Sequence, residues 1–300
     1  MKFNNPIVYV FLRFVIKKLL KNKLMKLNYL TLKNKYLRFF DENEDYFNFI
    51  ITDVMFGYKE IYQSIVNNNI TSVLEVGCGT GILINELRER FPEIKFTGLD
   101  PNESGFHDYK NISKKVIKEG KSLNIINSSI GTYTTDEKYD LIFSFNVFEH
   151  IKNQNEYLST TYNLLSQEGK SIIFCPNYDF PYEPHFILPI IINKNITKKL
   201  FDKKITTYEN KTKEFGLWEG LNLNGKNSIE KFLLKNNYNY IFDLDIKERM
   251  IKRIFDDKHF KKRQGIAAKL AICGKFIFLD KFLFNILRIP FPYLKLIIVK

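Results

Sequence analysis

The chain has 300 residues, of which 45% are hydrophobic and 26% are charged, so it can bury at least one sizeable core. Three cysteines without a C-x-x-C pair exclude a disulfide scaffold and a zinc ribbon, and every stretch of about 18 residues contains charge, which argues against an ordinary membrane-spanning helix. The net charge of +13 is uneven: residues 1–40 and 246–300 carry +10 each, whereas residues 41–245 carry −7. This distribution is typical of attachment to an anionic surface through the flanks, and nucleic acid is not the expected partner.

The first flank, residues 1–45, predicts a basic amphipathic helix over residues 6–27. Its apolar residues recur at steps of three and four, and they are Val8, Phe11, Leu12, Val15, Ile16, Leu19 and Leu20. Arg13, Lys17 and Lys21 lie on another face. Such a helix can lie in an anionic membrane interface, or it can pack its stripe on the protein and expose its charges. The first interpretation predicts a cytoplasmic protein held peripherally on the inner face of the membrane.

The strongest motif lies between residues 72 and 100. Residues 72–76 predict a buried strand, Gly77-Cys78-Gly79-Thr80-Gly81 a tight turn, and residues 82–90 a helix. A second strand over residues 94–99 ends in Asp100, where a carboxylate can bind ribose hydroxyls. Ile82 occupies the position where a dinucleotide-binding motif requires a small residue, and the P-loop pattern is absent.

Further elements alternate along the chain. Strands are predicted over residues 124–127, 139–145, 171–174, 238–244 and 294–299, and helices over residues 155–165 and 229–235, the latter capped by Asn227-Ser228. Residues 246–300 predict a basic, apolar, mainly helical segment before the last strand. This alternation indicates an α/β fold.

The segment Val73-Leu74-Glu75-Val76-Gly77-Cys78-Gly79-Thr80-Gly81, together with Asp100, resembles the first motif of the class I S-adenosylmethionine-dependent methyltransferases. Asn146-Val147-Phe148-Glu149-His150-Ile151 is similar to the segment that follows the fourth strand in that family. The resemblance covers residues 50–178 well and residues 226–245 weakly. It implies a doubly wound, mostly parallel, seven-stranded Rossmann-like sheet in a methyltransferase domain over residues 46–245, with residues 294–299 as the possible last strand.

The same resemblance implies a site for S-adenosyl-L-methionine. Glu75 and the backbone of the glycine turn would lie near its methionine portion, Asp100 would bind the ribose, and Leu99 and Pro101 would flank the adenine. Ser128 stands where the family has an aspartate that binds the adenine amino group, and Asn146 would offer its backbone to the ammonium group. The cofactor-binding residues expected are Glu75, Gly77, Cys78, Gly79, Gly81, Asp100, Pro101, Ser128 and Asn146.

Two histidines are candidate catalytic residues, because a hydroxyl acceptor needs a base. His150 follows Glu149 at the predicted pocket mouth, and His185 lies in a loop rich in proline and aromatic residues. Each can instead be a structural hydrogen-bonding residue. Glu149-His150 also resembles a segment of the polyprenyl-quinol O-methyltransferases that holds a divalent ion, but Asn146 replaces the first carboxylate, so no metal is expected.

Residues 178–225, here called the cap, are too long and too aromatic for a plain connection. We expect them to cover the acceptor, with Tyr178, Tyr182, Phe186 and Trp218 stacking on a ring or sugar. The sequence favours O-methylation of a lipid-linked sugar, a glycolipid or a quinone-like acceptor at a membrane surface. RNA or protein methylation is the alternative, and a non-catalytic membrane adaptor that retains the fold is a second one.

Overall fold

The computed structural model describes residues 27–101, 107–120, 123–212, 214–276 and 289–300. The chain divides into two compact units, residues 1–69 and residues 70–300. Apart from Leu27, the predicted helix over residues 6–27 lies outside the described residues, so it stays a prediction. Residues 46–69, which the sequence placed in the methyltransferase domain, fall in the first unit.

The first unit contains helix α1 (Tyr29–Tyr36), a 3₁₀ turn (Leu37–Phe40) and helix α2 (Glu44–Val66). Both helices begin at an asparagine cap. The side chain of Asn28 accepts a hydrogen bond from the Leu30 amide at 2.8 Å, and that of Asn43 accepts one from the Tyr46 amide at 3.1 Å.

The second unit is built on a seven-stranded sheet. Its strands are β1 (Ser72–Val76), β2 (Lys95–Leu99), β3 (Asn124–Ile126), β4 (Tyr139–Phe145), β5 (Leu165–Pro176), β8 (Asn239–Phe242) and β9 (Tyr293–Val299). Two short strands, β6 (Tyr182–Glu183) and β7 (Leu188–Pro189), pair with each other in the cap.

Helices separate most of these strands along the chain. They are α3 (Ile82–Arg90), α4 (His107–Glu119), α5 (Gln154–Leu164), α6 (Lys194–Thr212), α7 (Leu217–Gly220), α8 (Lys226–Lys235), α9 (Ile246–Asp256) and α10 (Lys258–Phe276), with a 3₁₀ turn at Phe148–His150.

The strand order is β3-β2-β1-β4-β5-β9-β8, and β9 runs antiparallel to both of its neighbours. The pairings β1–β2, β1–β4, β2–β3 and β4–β5 are parallel, so the carboxyl ends of these five strands share one edge of the sheet. The order reverses at β1, and the crevice beyond such a reversal is where doubly wound sheets bind ligands. The predicted fold class, a doubly wound, mostly parallel, seven-stranded Rossmann-like sheet, is confirmed.

Most predicted elements agree with the structure to within a few residues, but helix α8 begins earlier than its predicted cap. Its N-cap is Gly225 rather than Asn227 or Ser228. The cause is tertiary, because the side chains of Asn177 and Asp179 accept hydrogen bonds from the amides of Lys226 and Asn227 at 2.9 Å each. These acceptors satisfy the first free N–H groups of the helix, a role that a local cap would otherwise fill.

Residues 246–276 form the two basic helices α9 and α10, as the sequence predicted for this stretch. Helix α10 has a break at Gly265, whose φ is +51°. Within the described part of the chain, none of the helices combines the length and the apolar character required to cross a bilayer.

Candidate active site

The glycine turn follows β1 at the carboxyl edge of the sheet. Gly77, Gly79 and Gly81 all have φ between +51° and +72°, which side chains rarely tolerate. A Cβ at Gly77 would lie 2.4 Å from Cγ2 of Val147, just after β4. The turn and the segment after β4 therefore pack closely, which brings the predicted cofactor and acceptor sites together.

Two carboxylates flank this turn. Oδ2 of Asp100 accepts a hydrogen bond from the Gly79 amide at 2.8 Å, so Asp100 supports the turn from the end of β2. Glu75 is buried in β1, and burial raises its pKa well above the ordinary value, with a further contribution from the charge of Asp100. No residue that the structure describes makes a hydrogen bond to Oε2 of Glu75. A buried carboxylate beside a backbone turn and a second acid suits a ligand with a cationic group and hydroxyls, as S-adenosylmethionine has.

Ser128, Pro101 and Cys78 lie around the same turn. The amides of Asp100 and Ser128 both donate to the carbonyl oxygen of Ile126, at 3.1 and 3.0 Å, so Ser128 lies beside the predicted ribose-binding residue. Its hydroxyl already donates to the Ser129 carbonyl at 3.0 Å. Pro101 is exposed, whereas the Cys78 thiol is buried and its pKa is raised by that burial. The roles of these three residues stay predictions.

Asn146 has φ +52°, and its amide donates to the carbonyl of Phe174 at 2.9 Å. Its Oδ1 accepts a hydrogen bond from the Tyr293 hydroxyl at 2.8 Å. The sequence did not indicate Tyr293. Tyr293 begins β9 and lies opposite Pro176 at the end of β5, a pairing between distant parts of the chain that no local pattern reveals.

The 3₁₀ turn after β4 carries Glu149 and His150. Asn222 of the cap holds this turn: its amide donates to the Glu149 carbonyl at 2.9 Å, and its side chain donates to the carbonyls of Phe148 and Ile151 at 2.9 and 3.1 Å. Glu149 is buried, and a Cβ at Gly220 would lie 3.9 Å from Nδ1 of His150. The cap therefore closes over the turn.

His185 lies in the cap between the paired strands β6 and β7. Its Nδ1 is 2.6 Å from Oε1 of Glu183, a buried carboxylate whose Oε2 accepts a hydrogen bond from the Phe186 amide at 2.7 Å. Because Glu183 engages Nδ1, the Nε2 atom of His185 is directed toward Oε1 of Glu149, 3.8 Å away. The rings of His185 and His150 meet edge to face, with centroids 5.5 Å apart. The structure thus brings both predicted catalytic histidines together and adds Glu183, which the sequence did not single out.

The two histidines have opposite electrostatic environments. Burial lowers the pKa of His150 to about 3, with help from the charges of His185 and Lys194. Burial by itself lowers the pKa of His185 as well, but the carboxylates of Glu183 and Glu149 outweigh it and raise that pKa to about 9. At neutral pH, His150 is neutral but has a low affinity for a proton, whereas His185 is a cation between two carboxylates.

The same cluster has the composition of a metal site. Glu149, His150 and His185 offer ligand atoms that all lie within 4.8 Å of one another. Two imidazoles and a carboxylate suit a divalent transition metal. The expectation that no metal is used stays a prediction.

Two aromatic residues of the cap differ from their predicted role. Trp218 is only 1% exposed and packs on Phe186, with ring centroids 5.5 Å apart, in a small core of the cap. The Tyr178 hydroxyl donates to Glu183 at 3.3 Å. Phe186 and Trp218 therefore form part of the core of the 48-residue insertion, residues 178–225, and are not available to stack on an acceptor in this structure. Tyr178 and Tyr182 are half-buried outside that core, so their predicted stacking stays a prediction.

Comparison with known proteins agrees with this geometry. Residues 74–171 match a family model described as a methyltransferase domain. An uncharacterised protein of Mycobacterium tuberculosis strain H37Rv is 27% identical over 196 residues, which are 65% of this chain and 66% of that protein, just under two thirds of its length. Malonyl-[acyl-carrier protein] O-methyltransferase 1 of Ilyobacter polytropus is 35% identical over 99 residues, 33% of this chain and 35% of that enzyme.

Among solved structures, the plantazolicin methyltransferase BamL in complex with a triazolic desmethylPZN analog and SAH superposes with a TM-score of 0.48 and 19% identity, over 89% of this chain and 90% of that one. This score is modest, so the assignment of the fold depends on the strand order itself.

Proposed function

We propose that this chain, which carries a class I S-adenosylmethionine-dependent methyltransferase domain, methylates a hydroxyl group of a lipid-linked sugar, a glycolipid or a quinone-like molecule at a membrane surface. The family match over residues 74–171 is to a methyltransferase domain, and it supports the predicted enzyme class and S-adenosyl-L-methionine as the cofactor. The match does not single out the polyprenyl-quinol group. The acceptor and the membrane surface are the proposed part.

The observation that carries the hydroxyl acceptor is the histidine pair at the carboxyl edge. His150 lies four residues after Asn146 and three after Val147, and Val147 packs directly against Gly77 of the glycine turn. A base candidate thus lies next to the predicted cofactor site. An amine or an acidic phenol would need little more than alignment with the methyl group. The presence of a candidate base therefore favours an alcohol as the acceptor.

S-adenosylmethionine, when bound, supplies a methyl group activated by a sulfonium. The residues of this chain would align the acceptor hydroxyl with that methyl group, and His150 would take up the hydroxyl proton. His185, held by Glu183, places a positive charge beside His150 and keeps it neutral before the reaction. Asp100, Glu75 and the glycine turn hold the cofactor, and Asn222 fixes the turn that carries His150.

The membrane surface is supported by the charge distribution. The two flanks carry +10 each around a body of −7, and each basic residue near an anionic bilayer contributes on the order of 1 kcal/mol. Together with an apolar stripe such as Val8–Leu20, this is the two-signal arrangement that holds peripheral proteins on membranes. Purified protein should co-sediment with anionic liposomes, less with neutral ones, and less again as salt rises. Removing residues 1–27 should weaken this binding and leave cofactor binding intact.

Activity is tested by S-adenosylhomocysteine release with a panel of polyprenyl-linked sugars, glycolipids and quinols. His150→Ala should lose roughly 10²- to 10⁴-fold in kcat while calorimetry shows unchanged cofactor affinity. Near-full rates in His150→Ala and His185→Ala would refute the acid–base scheme and favour an amine or acidic acceptor. Loss of activity on treatment with a chelator, restored by a divalent cation, would replace the base with a metal at Glu149, His150 and His185. Absence of cofactor binding would leave the adaptor interpretation.

A further inference from the structure

The cap presents three aliphatic side chains to solvent at one place. Ile192 is 84% exposed, Ile196 is 38% exposed and Leu200 is 61% exposed. Ile196 and Leu200 are one helical turn apart in the first half of α6, so they share a face, and Ile192 is in the turn that precedes the helix. We call these three residues the cap tip.

The turn that carries Ile192 is held in a defined shape. The hydroxyl of Thr197, a fully buried residue, accepts a hydrogen bond from the Ile191 amide at 2.7 Å and lies 2.8 Å from the Asn193 carbonyl. Ile192 has φ +60°, a conformation that a β-branched residue adopts only when its surroundings impose it. The fold therefore directs a large aliphatic side chain outward at some cost in stability.

The charge around the cap tip is positive. Residues 190–205 contain five lysines and one acid, Asp202. Lys194 and Lys198 are engaged with the cap, since Lys194 donates to the carbonyls of Glu219 and Leu221 and Lys198 pairs with the Glu219 carboxylate. Lys199 and Lys203 are exposed, each three residues after one of the tip's helical members.

We infer that the cap tip inserts into the headgroup region of an anionic lipid bilayer, with Lys199 and Lys203 against the lipid phosphates. This inference rests on the membrane-surface part of the proposed function and names the surface that makes the contact. Aliphatic side chains bordered by lysines suit the interface of an anionic bilayer. Such an interface can bury separate apolar side chains, and its negatively charged headgroups can bind the lysines.

The cap tip lies at the end of α6 that is closer to the acceptor site. Lys194, the first residue of α6, donates hydrogen bonds to the carbonyls of Glu219 and Leu221, and a Cβ at Gly220 between them would lie 3.9 Å from Nδ1 of His150. The tip is thus near the mouth of the acceptor site, and docking there would let a lipid-anchored hydroxyl reach His150 while its hydrophobic tail stays in the bilayer.

A residue-specific probe tests this inference on the full chain. Leu200→Trp is compared with Leu234→Trp, because Leu234 on α8 is also 61% exposed. With vesicles of phosphatidylglycerol and phosphatidylcholine in equal parts, the emission added at position 200 should shift to the blue and be quenched by brominated lipids, whereas the emission added at position 234 should do neither. Trp218 is buried and contributes equally to both variants.

Binding gives a second readout. The double variant Ile196→Asn, Leu200→Asn should lower vesicle partitioning roughly tenfold, while Leu234→Asn leaves it unchanged. If the parent protein sediments with anionic vesicles but the emission at position 200 is unaffected, the membrane surface stands and the cap tip is refuted as its contact. If the parent protein does not sediment at all, the membrane part of the proposed function is refuted and the cap tip with it.

Discussion

Asp100 is the predicted ribose-binding residue, and its two contributions, the negative charge and the hydrogen bond to the glycine turn, can be separated. Asp100→Asn keeps an oxygen for the Gly79 amide, now 2.8 Å from Oδ2, but removes the negative charge. Asp100→Ala removes both. A charge-assisted hydrogen bond contributes about 1.5–3 kcal/mol and a neutral one about 0.5–1.5, so asparagine should cost about 1 kcal/mol and alanine about 1–3 kcal/mol.

In calorimetry with S-adenosylmethionine, these energies correspond to affinity losses of about fivefold for asparagine and about 5- to 150-fold for alanine. The Asp100 charge also contributes to the raised pKa of Glu75, so the asparagine variant makes Glu75 easier to ionise. We therefore expect the easier ionisation of Glu75 to offset part of the affinity loss in the asparagine variant, so the ratio of its Kd to that of the parent protein should change with pH.

Asp136→Asn is the matched control, because Asp136 is exposed in the turn before β4, at the opposite edge of the sheet, and loses the same charge. Its affinity should equal that of the parent protein. If Asp100→Ala also binds the cofactor with parent affinity, the assignment of the site is wrong.

Three further substitutions test other parts of the fold and site. Glu183→Gln should lower kcat roughly 10- to 100-fold and leave the cofactor affinity unchanged. It should also bring the pKa of His185 down toward its ordinary value, which NMR titration of the ring would show. An unchanged His185 titration would contradict the pairing of the two residues. Burial raises the pKa of Asp140, but hydrogen bonds from nearby hydroxyls and amides outweigh burial and lower it. The free energy of unfolding should therefore fall as pH drops below about 4, and it should fall less in Asp140→Asn. If urea unfolding gives the same dependence of this free energy on pH for both proteins, the prediction is wrong. Gly77→Ala should lower the free energy of unfolding by at least about 1–2 kcal/mol, because φ is +72° and the new Cβ would meet Val147; an unchanged Tm would show that the turn can rearrange.

Local patterns in the sequence were sufficient for the sheet and the glycine turn. Strand β4 was predicted with its exact bounds, and β1 and α3 likewise, because a buried parallel strand is a short apolar run and a glycine cluster marks where it turns. The doubly wound, mostly parallel arrangement followed from the resemblance to a family. The strands and the glycine turn depend on residues close together in the chain, and the sheet repeats a known arrangement, so both could be predicted.

The acceptor side of the site was not predictable in the same way. Glu183 contacts His185 in the part of the cap where β6 pairs with β7, and two-residue strands have no recognisable pattern. Asn222 contacts Phe148 across 74 residues of sequence, and nothing local distinguishes it from other asparagines of an asparagine-rich chain. Two aromatic residues of the cap looked available for stacking because composition does not reveal that an insertion has its own core.

The link between Tyr293 and Asn146 joins residues 147 positions apart, and β9 lies between β5 and β8 in the sheet. During synthesis the glycine turn, Asp100 and both histidines leave the ribosome well before β9 does. Until β9 emerges, β5 has an open edge and β8 lacks its neighbour, so the early chain carries the chemical groups without the strand that completes the sheet. A message cut short before residue 293 would therefore yield a chain with every predicted catalytic residue and an exposed strand edge, a species that aggregates or is degraded.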